Sequence, residues 1–593
     1  MKGAEIIARS LEDLGVKHVF GYTGAAILPV MDELGKSRIQ IVVNSNEQSA
    51  AFSAAGYSRS SDRVGIAIVT SGPAITNTLT AVADSFADSV PLVVIAGQVP
   101  ENKIGTDSFQ HIDVASVFGP TAKSVVSVNR IGNIDSVIKD AYFLARAGKP
   151  GPVVIDLPIN LQLDTHRYSK GDNSRFSHVY ENESHLSDEQ CKHFFDLLSE
   201  SRRPLLYLGG GLNNSQNGSG AIRRFNARFD MPSVNTLMGK GVLDENDPAA
   251  LGLLGMFGTP CANKIIQNND FFFAIGVRWD DRVAEKVGFA IDAKIAYIDV
   301  NPQKMYQIRN ERTPDFTFLG DATTALNDLT DYAERHGLEY QIDDWRQHAI
   351  ELKRSWPLDY RRDSECIQQA EVLDLLNERL ADDMIVTTGV GNHQLLAAQY
   401  LKMRHPRRFL TSGSFGTMGF GVPAAIGAWY ANPNARVIAI DGDGSFRMNM
   451  GEMHTIGILG VPVKILLLNN HSDGMVRNLE DVAYGGRHFV SERKRDVNFA
   501  AMARECHFAF AERIVARNDL PARLDAFLAA DGPAMLEIVT DIEEVLYPVV
   551  RPGTSYADME LGPYIRERRT ESLSGPPHRM RRVSVSAAQD QIQ

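Results

Sequence analysis

The stretches ARVIAIDGDGSF (435–446) and, shortly after, VPVKILLLNN (461–470) decide the fold. Each is a short run of β-branched and other apolar residues ending abruptly in polar ones. That pattern suits a strand buried on both faces of a parallel sheet. In open α/β sheets, ligands bind at the carboxyl ends of strands, where both runs deliver their polar groups. Gly442 and Gly444 allow backbone to approach a phosphate, and a helix opening at Ser445 can face its charge. Asp443 offers a carboxylate oxygen and Asn470 an amide oxygen. With the backbone carbonyl of Ser472, these form a sparse set of hard oxygen ligands, the kind magnesium completes with phosphate and water. Read alone, GDG is an Asx turn and NN a polar strand end. Both behind buried strands argue for a site.

Working outward, the same alternation of apolar runs and helical periodicity recurs in three stretches, as in parallel α/β sheets. A first domain spans 1–165, with strands expected at Val64–Thr70, Leu92–Ala96 and Val153–Ile155. The polar run HRYSKGDNSRFSHVYENESH (166–185) reads as a linker. A second domain spans 186–345, with strands at Leu205–Leu208, Phe271–Ile275 and Ile295–Ile298. The charged helical stretch DDWRQHAIELKRSW (343–356) leads to a third domain over 366–550. Its strands are expected at Ile385–Thr387, Val437–Ile440 and Val463–Leu468. The fold class is therefore α/β, with three doubly wound parallel-sheet domains. Residues 551–593 read as a partly ordered arm with a disordered tip.

A chain of 593 residues is too long for a single core. With 44% hydrophobic and 23% charged residues, it has an ordinary soluble composition. A net charge of −12 gives a nucleic-acid partner no support. No run approaches a membrane span, and no basic-then-apolar leader is visible at the start. Cys191, Cys261, Cys366 and Cys506 lie far apart with no CxxC pair, which suits a reducing, cytoplasmic setting.

Paired behind two strands, GDG and NN at this spacing resemble the signature of the thiamine-diphosphate enzymes. The stretch NSNEQSAAFSAAGYSR (44–59) resembles the same superfamily's HEQGAxxxAxGYAR element, with Asn46 in place of the usual His. The resemblance implies that Glu47 hydrogen-bonds the cofactor's pyrimidine ring and promotes its proton relay. Without that context, Glu47 would read as an ordinary helix-start glutamate. The family also implies a homo-oligomer, with Glu47 of one copy and Asp443 of another meeting across a dimer interface.

The resemblance narrows to the catalytic (large) subunit of acetolactate synthase and covers Gly3 to about Met559. It is carried by VFGYTGAAILPVMDEL (19–34), the run TSGPAITNTLTAVADSFADSVPLVVIAGQVP (70–100), IGTDSFQHIDV (104–114), PTAKSVVSV (120–128), TLMGKG (236–241), GMFG (255–258), GVRWDDRV (276–283), GNHQ (391–394) and GTMGFGVPAAIGA (416–428). What it implies is a pyrimidine domain, a central FAD-binding domain and a diphosphate domain, holding thiamine diphosphate, Mg2+ and FAD. Met418, beside Gly416, matches the apolar support for the bent cofactor, and Phe109, Gln110 and Lys123 match residues lining the substrate side. Gly391, Asn392, His393 and Gln394 match the region of the diphosphate, as do Gly474 and Met475 beyond the asparagines. Gly209, Gly210, Phe257, Arg278, Asp280, Asp299 and Asp321 fall at flavin positions, with Lys149 where Arg is usual. Arg282 matches the arginine that meets the acceptor's carboxylate. Read alone, WDDR is a surface ion pair.

The implied reaction decarboxylates pyruvate and joins the two-carbon unit to a second 2-oxo acid. A small regulatory subunit is a further partner the resemblance leaves open. Leu479, in GMVRNLEDVAYG (474–485), stands where the family has a tryptophan that selects larger acceptors. Thr23, Ala25, Ala26, Ala74, Ile75 and Asp473 also depart from the pattern, all near the cofactor's mouth. They motivate an alternative, a specialised acyloin synthase using a ketone, aldehyde or sugar acceptor. A flavin-linked pyruvate oxidase and a silent partner subunit are weaker readings.

Overall fold

The computed structural model describes residues 1–168, 184–283, 289–290, 292–495 and 497–568. Its strands form three six-stranded sheets in which every pairing is parallel. The first sheet contains β1 (His18–Gly21), β2 (Gln40–Val43), β3 (Gly65–Val69), β4 (Leu92–Gln98), β5 (Ser124–Ser127) and β6 (Pro152–Pro158). The second contains β7 (Pro204–Leu208), β8 (Ser233–Asn235), β9 (Ala250–Leu253), β10 (Phe271–Ile275), β11 (Lys294–Asp299) and β12 (Phe316–Leu319). The third contains β13 (Met384–Thr388), β14 (Phe409–Leu410), β15 (Arg436–Gly442), β16 (Lys464–Asn469), β17 (Phe510–Ile514) and β18 (Ala534–Val539).

The first sheet runs in the order β2-β1-β3-β4-β6-β5 and the third in the order β14-β13-β15-β16-β18-β17. The two share one wiring. The second runs β12-β11-β10-β7-β8-β9, the dinucleotide-binding order with its switch point between β7 and β10. β3, β4, β6, β7, β10, β13 and β16 are buried along their whole length, which is why they read as unbroken apolar runs.

The chain divides into two compact units. One combines the first and third sheets, over Met1–Asn182, Arg361–Leu401 and Arg407–Leu546. The other holds the second sheet, over Glu183–Tyr360, Lys402–Pro406 and Tyr547–Gln593. In the first unit, helix Glu47–Arg59 crosses helix Gly421–Ala431 at backbone contact. A Cβ on Gly56 would lie 2.2 Å from the Ala424 carbonyl oxygen, and one on Gly427 only 1.7 Å from that of Ser53. The run of small residues in 49–56 exists for this crossing. Phe52 and Phe420 pack edge to face beside it, centroids 5.5 Å apart. Arg59, buried at the end of its helix, pairs with Asp84 at 2.7 Å and Asp88 at 3.0 Å and donates to the Thr411 carbonyl at 3.0 Å. Asp84 in turn accepts from Ser412 and Asp88 from Ser414, so one buried network ties both sheets together.

In the second unit, the C-terminal arm is built in as far as residue 568. Val549 pairs with Glu560 in an antiparallel bridge, Val550 donates its N–H to Met256 at 2.8 Å, and the buried Tyr556 hydroxyl donates to Val283 at 3.0 Å. The expected disordered tip (569–593) and most of the expected linker (169–183) lie outside the described residues.

Candidate active site

In the third sheet the chain order reverses between β13 and β15, and the site assembles at that switch point. β15 ends at Gly442 and a short helix, Asp443–Phe446, follows at once. The Ser445 hydroxyl accepts from the N–H groups of Val390 (3.2 Å) and Gly419 (3.0 Å), knotting this turn to the end of β13 and to the loop bearing Met418. β16 ends in Asn469, and the Asn470 amide oxygen takes the Ser472 N–H at 3.1 Å, shaping the next loop.

These loops concentrate unsatisfied polar atoms. Both carboxylate oxygens of Asp443, Asn392 Oδ1, His393 Nε2, Asp441 Oδ2 and the Ser472 hydroxyl are buried without a hydrogen-bond partner. His393 Nε2 stands 3.4 Å from Asp441 Oδ1, and its imidazole lies against Gly442 and Gly391. A Cβ on Gly474 would meet the Asn392 amide at 2.6 Å and the Asn470 amide at 3.2 Å, so these three residues share one wall. Asp443 is 1% exposed. Burial pushes its carboxyl up to about 6; nearby Arg493 opposes that rise and Asp473 adds to it. Apart from the Arg493 guanidinium, 2.9 Å from one oxygen, this buried carboxylate has no donor, and its other oxygen is open to a cation. The donors fit a hard divalent ion: one carboxylate, one amide oxygen and the Ser472 carbonyl. Among the described residues no group of three His, Cys, Asp or Glu could hold a metal, so a cation here must draw further ligands from a bound anion and water.

Not every expected residue faces this cradle. Gln394 is buried and donates to Thr411 Oγ1 (2.7 Å) and the Ser412 carbonyl (2.9 Å), a bracing role within the sheet end. Gly416 has φ of 66° beside half-buried Thr417 and Met418, and Met475 is half-buried on helix Gly474–Tyr484. Sequence reading placed Asp473 near the cofactor's mouth but did not join Arg493, its partner, to the site. Arg493 lies 2.9 Å from Asp443 and 2.7 Å from Asp473.

On the first sheet, Asn46 caps helix Glu47–Arg59 by accepting from Ser49 N–H at 2.8 Å, and reaches Asn449 at 3.4 Å. The Glu47 carboxylate accepts from the Asn77 amide at 2.8 Å. Beneath it, fully buried Glu452 accepts from Ser45 N–H (2.8 Å) and the Asn44 amide (2.9 Å), fixing the helix start against the third sheet. Asn449 donates to the Gly419 carbonyl at 2.9 Å, so the Glu47 helix cap and the Met418 loop share one hydrogen-bonded route. Gln110 holds a left-handed backbone, φ 59°, against Gly72, and Phe109 beside it is 87% exposed. A non-glycine residue held at positive φ commonly marks a functional turn. Lys123 directs its ammonium at the carbonyls of Leu144 (2.6 Å) and Ala147, the carboxyl end of helix Ile134–Arg146. Burial, with help from Lys149, lowers its pKa to about 8. The Lys149 ammonium sits over the Phe86 ring, 4.6 Å from its centroid.

In the second unit, a Cβ on Gly209 would come within 2.0 Å of the Gly276 carbonyl oxygen. Gly276 itself has φ of 59°, so backbone closes on backbone where β7 and β10 part. Gly210, next in the turn, lies against the Met238 side chain. Arg278 is 3.4 Å from Asp280, a loose pair in solvent reach, and Phe257 lies in the GMFG turn before helix Pro260–Ile265. Asp299 accepts from Asn301 N–H at 2.7 Å. Asp321 caps helix Ala322–Arg335 and takes the Ser215 hydroxyl at 2.7 Å, which accounts for its carboxylate structurally. Arg282 is two-thirds exposed, 3.6 Å from Asp281 and 3.4 Å from the Met256 sulfur.

A glycine-lined turn, a buried carboxylate and an amide oxygen thus stand at adjacent strand ends, an arrangement that fits an enzyme holding an anionic cofactor. Residues 1–117 match the thiamine pyrophosphate enzyme N-terminal TPP binding domain, 191–329 the central domain, and 389–538 the C-terminal TPP binding domain. The chain is 38% identical over 576 residues to acetolactate synthase 3, chloroplastic, of Brassica napus, covering 94% of this chain and 86% of that one. It is 36% identical over 562 residues to acetolactate synthase isozyme 2 large subunit of Escherichia coli (strain K12), covering 94% and 99%. It is 38% identical over 576 residues to the chloroplastic acetolactate synthase of Arabidopsis thaliana, covering 94% and 84%. The chain belongs to the acetolactate synthase family of thiamine-pyrophosphate enzymes.

Proposed function

We propose that the protein decarboxylates pyruvate and condenses the two-carbon unit with a second 2-oxo acid, acting as an acetolactate synthase. The observation carrying this reading is the cluster of unsatisfied buried polar atoms around Asp443 at the switch point of the third sheet. Asp443, Asn470 and the Ser472 carbonyl would hold Mg2+, while Gly442, Gly444, Ser445, Asn392 and His393 would receive the diphosphate. Thiamine diphosphate would supply a nucleophilic carbon and an electron sink for the decarboxylation.

The chain's own residues do the rest. Glu47, held by Asn77, keeps and returns a proton at the pyrimidine edge. Gln110 and Phe109 frame the substrate mouth. Arg282, two-thirds exposed and 3.6 Å from Asp281, is the residue that the family resemblance gives to the acceptor's carboxylate. Lys123 serves as a brace under this mouth, since its ammonium caps a helix. FAD would sit at the switch point between β7 and β10, where open α/β sheets bind ligands.

Unit one also exposes large apolar side chains, among them Leu28, Phe109, Phe415, Met448 and Leu479. They supply an apolar surface for a second copy, so the working form is a homodimer or a pair of dimers. A cytoplasmic site accords with the absence, among the described residues, of any helix long and apolar enough to cross a membrane, and with four unpaired cysteines.

The deciding experiment identifies the product from pyruvate with thiamine diphosphate, magnesium and FAD, alone and with 2-oxobutyrate, ketone or aldehyde acceptors. Acetolactate as the main product supports the reading. Carbon dioxide release with coupling only to another acceptor would make it a specialised acyloin synthase. Leu479→Trp separates the causes further: restoring an aromatic wall should raise the 2-oxobutyrate preference about tenfold.

A further inference from the structure

The cation that Asp443 calls for has a resident rival. Arg493 Nη1 lies 2.9 Å from Asp443 Oδ2 while its Nη2 lies 2.7 Å from Asp473 Oδ1. The guanidinium thus bridges a buried carboxylate and a half-buried one. The pair rests directly on the GDG turn: a Cβ on Gly444 would stand 1.9 Å from Asp473 Oδ1 and 2.8 Å from Arg493 Nη2.

Arg493 is placed there by a built strap. Its N–H donates to His471 at 2.9 Å, Asp473 N–H donates to Ser491 at 2.8 Å, and Ser472 and Glu492 form an antiparallel bridge between them. The Ser491 hydroxyl is bonded to buried Glu480, and Glu492 takes Arg477 Nε at 2.9 Å. Residues 491–493 are therefore laced onto 471–473, beside the candidate metal ligands Asn470 and Ser472. A divalent cation on Asp443 and a guanidinium on the same carboxylate repel each other strongly in so buried a place.

We infer that Arg493 competes with the divalent cation for Asp443, and that Asp473 receives Arg493 when the cation enters. The Asp473–Arg493 pair thereby sets how tightly this site holds metal. This rests on the reading of Asp443 as a metal ligand. Charge arithmetic gives the inference a sign that a merely structural strap would not. Removing Arg493 leaves two carboxylates facing the cation, and removing Asp473 leaves the guanidinium wholly on Asp443. Removing both restores a single carboxylate with no rival.

The test uses full-length protein stripped of cofactor and titrated with Mn2+, free Mn2+ being read by electron paramagnetic resonance, without and then with thiamine diphosphate. Arg493→Met should bind Mn2+ about tenfold or more tightly than the wild type, the scale of a close charge-pair coupling. Asp473→Asn should bind it about tenfold more weakly. The double variant should bind more tightly than Asp473→Asn and more weakly than Arg493→Met. Equal or weaker binding by Arg493→Met, with an unchanged circular dichroism melt, overturns the inference. Asp443→Asn keeps the two failures apart. If it binds Mn2+ as the wild type does, Asp443 is no metal ligand and the underlying reading falls. If it loses Mn2+ while Arg493→Met matches the wild type, only the competition falls.

Discussion

Asp443 and Glu47 are both acidic groups at helix starts, yet their surroundings give them opposite tasks. Asp443 is sealed in, held high by burial, and usable only with a cation beside it. Glu47 is half-exposed, with one amide partner and a polar base of Asn44, Ser45 and Glu452 under its helix. A group that holds and returns a proton needs that access. Replacing Glu47 with Gln keeps an oxygen to accept from Asn77 and removes the carboxyl group. We expect kcat to fall about 10²- to 10⁴-fold while thiamine diphosphate affinity, read by fluorescence quenching, stays within a fewfold. Loss of affinity in step with activity would mean that Glu47 only shapes the pocket. Asp443 and Asn470 drew notice in sequence because each follows a strongly patterned strand, whereas Glu47 was singled out only by the resemblance of its stretch to the family's element. Arg493 was not. It is one of several basic residues in a polar stretch, and its meaning comes from a strap that closes twenty residues back onto the loop carrying Asp473. The Lys123 brace was equally hidden, since the carbonyls it caps belong to a helix end no periodicity points to.

At the scale of elements, the strands buried on both faces declared themselves: Phe271–Ile275 was read to the residue, and Leu92, Val153, Ile385 and Val437 all fall within their strands. The unread strands are mostly short or at edges, such as β2 with two exposed residues and β14 with only two residues. β18 was hidden differently. Its apolar run is broken by Glu537, fully buried because it takes the Asn469 amide at 2.8 Å and Ala500 N–H at 3.0 Å. The helix crossing at Gly427 makes a sharp prediction. Ala there must force its methyl into the Ser53 carbonyl, so Gly427→Ala should destabilise the protein by about 1–3 kcal/mol or more, read as a lowered melting temperature. An unchanged melt would mean that this crossing is slack. A second prediction concerns helix Gln369–Asn377, whose first N–H groups, Gln369 (2.5 Å) and Ala370 (3.0 Å), are taken by half-buried Glu544. Burial pushes Glu544 from 4.5 up to about 7 despite those bonds. The folded state therefore binds this proton more tightly than the unfolded chain. Its contribution is fully present below pH ~4.5 and is lost as pH rises through about 7, of the order of 3 kcal/mol once ionised. Glu544→Gln should flatten that slope in urea melts between pH 5 and 8 (~1 kcal/mol resolution suffices), whereas a slope identical to the wild type would assign it to other groups.

At the scale of the whole molecule, two sheets with one wiring lie in a single unit, and the functional groups are divided between them. In the proposed function the third sheet carries the cation and diphosphate end, and the first carries the proton-holding glutamate. That division was legible as three α/β stretches, but the merging of the first and third into one unit was not. It depends on close backbone packing between helices nearly four hundred residues apart. The division leaves a question of ownership that one experiment answers. If each site takes Glu47 from one copy and Asp443 from its partner, Glu47→Gln and Asp443→Asn homodimers are both inactive. A mixed dimer then has one site carrying both lesions and one carrying neither. Co-expressing the two variants and purifying the mixed dimer with two tags should therefore recover activity. Unselected random pairing should give about a quarter of the wild-type specific activity, as two-fold symmetry requires. If instead Glu47 and Asp443 of the same copy serve one site, every site in the mixed dimer carries a lesion and nothing is recovered. Recovery that disappears on dilution below the dimer's dissociation constant would further show that the apolar residues exposed on the first unit, Phe109 and Phe415 among them, work by pairing two copies.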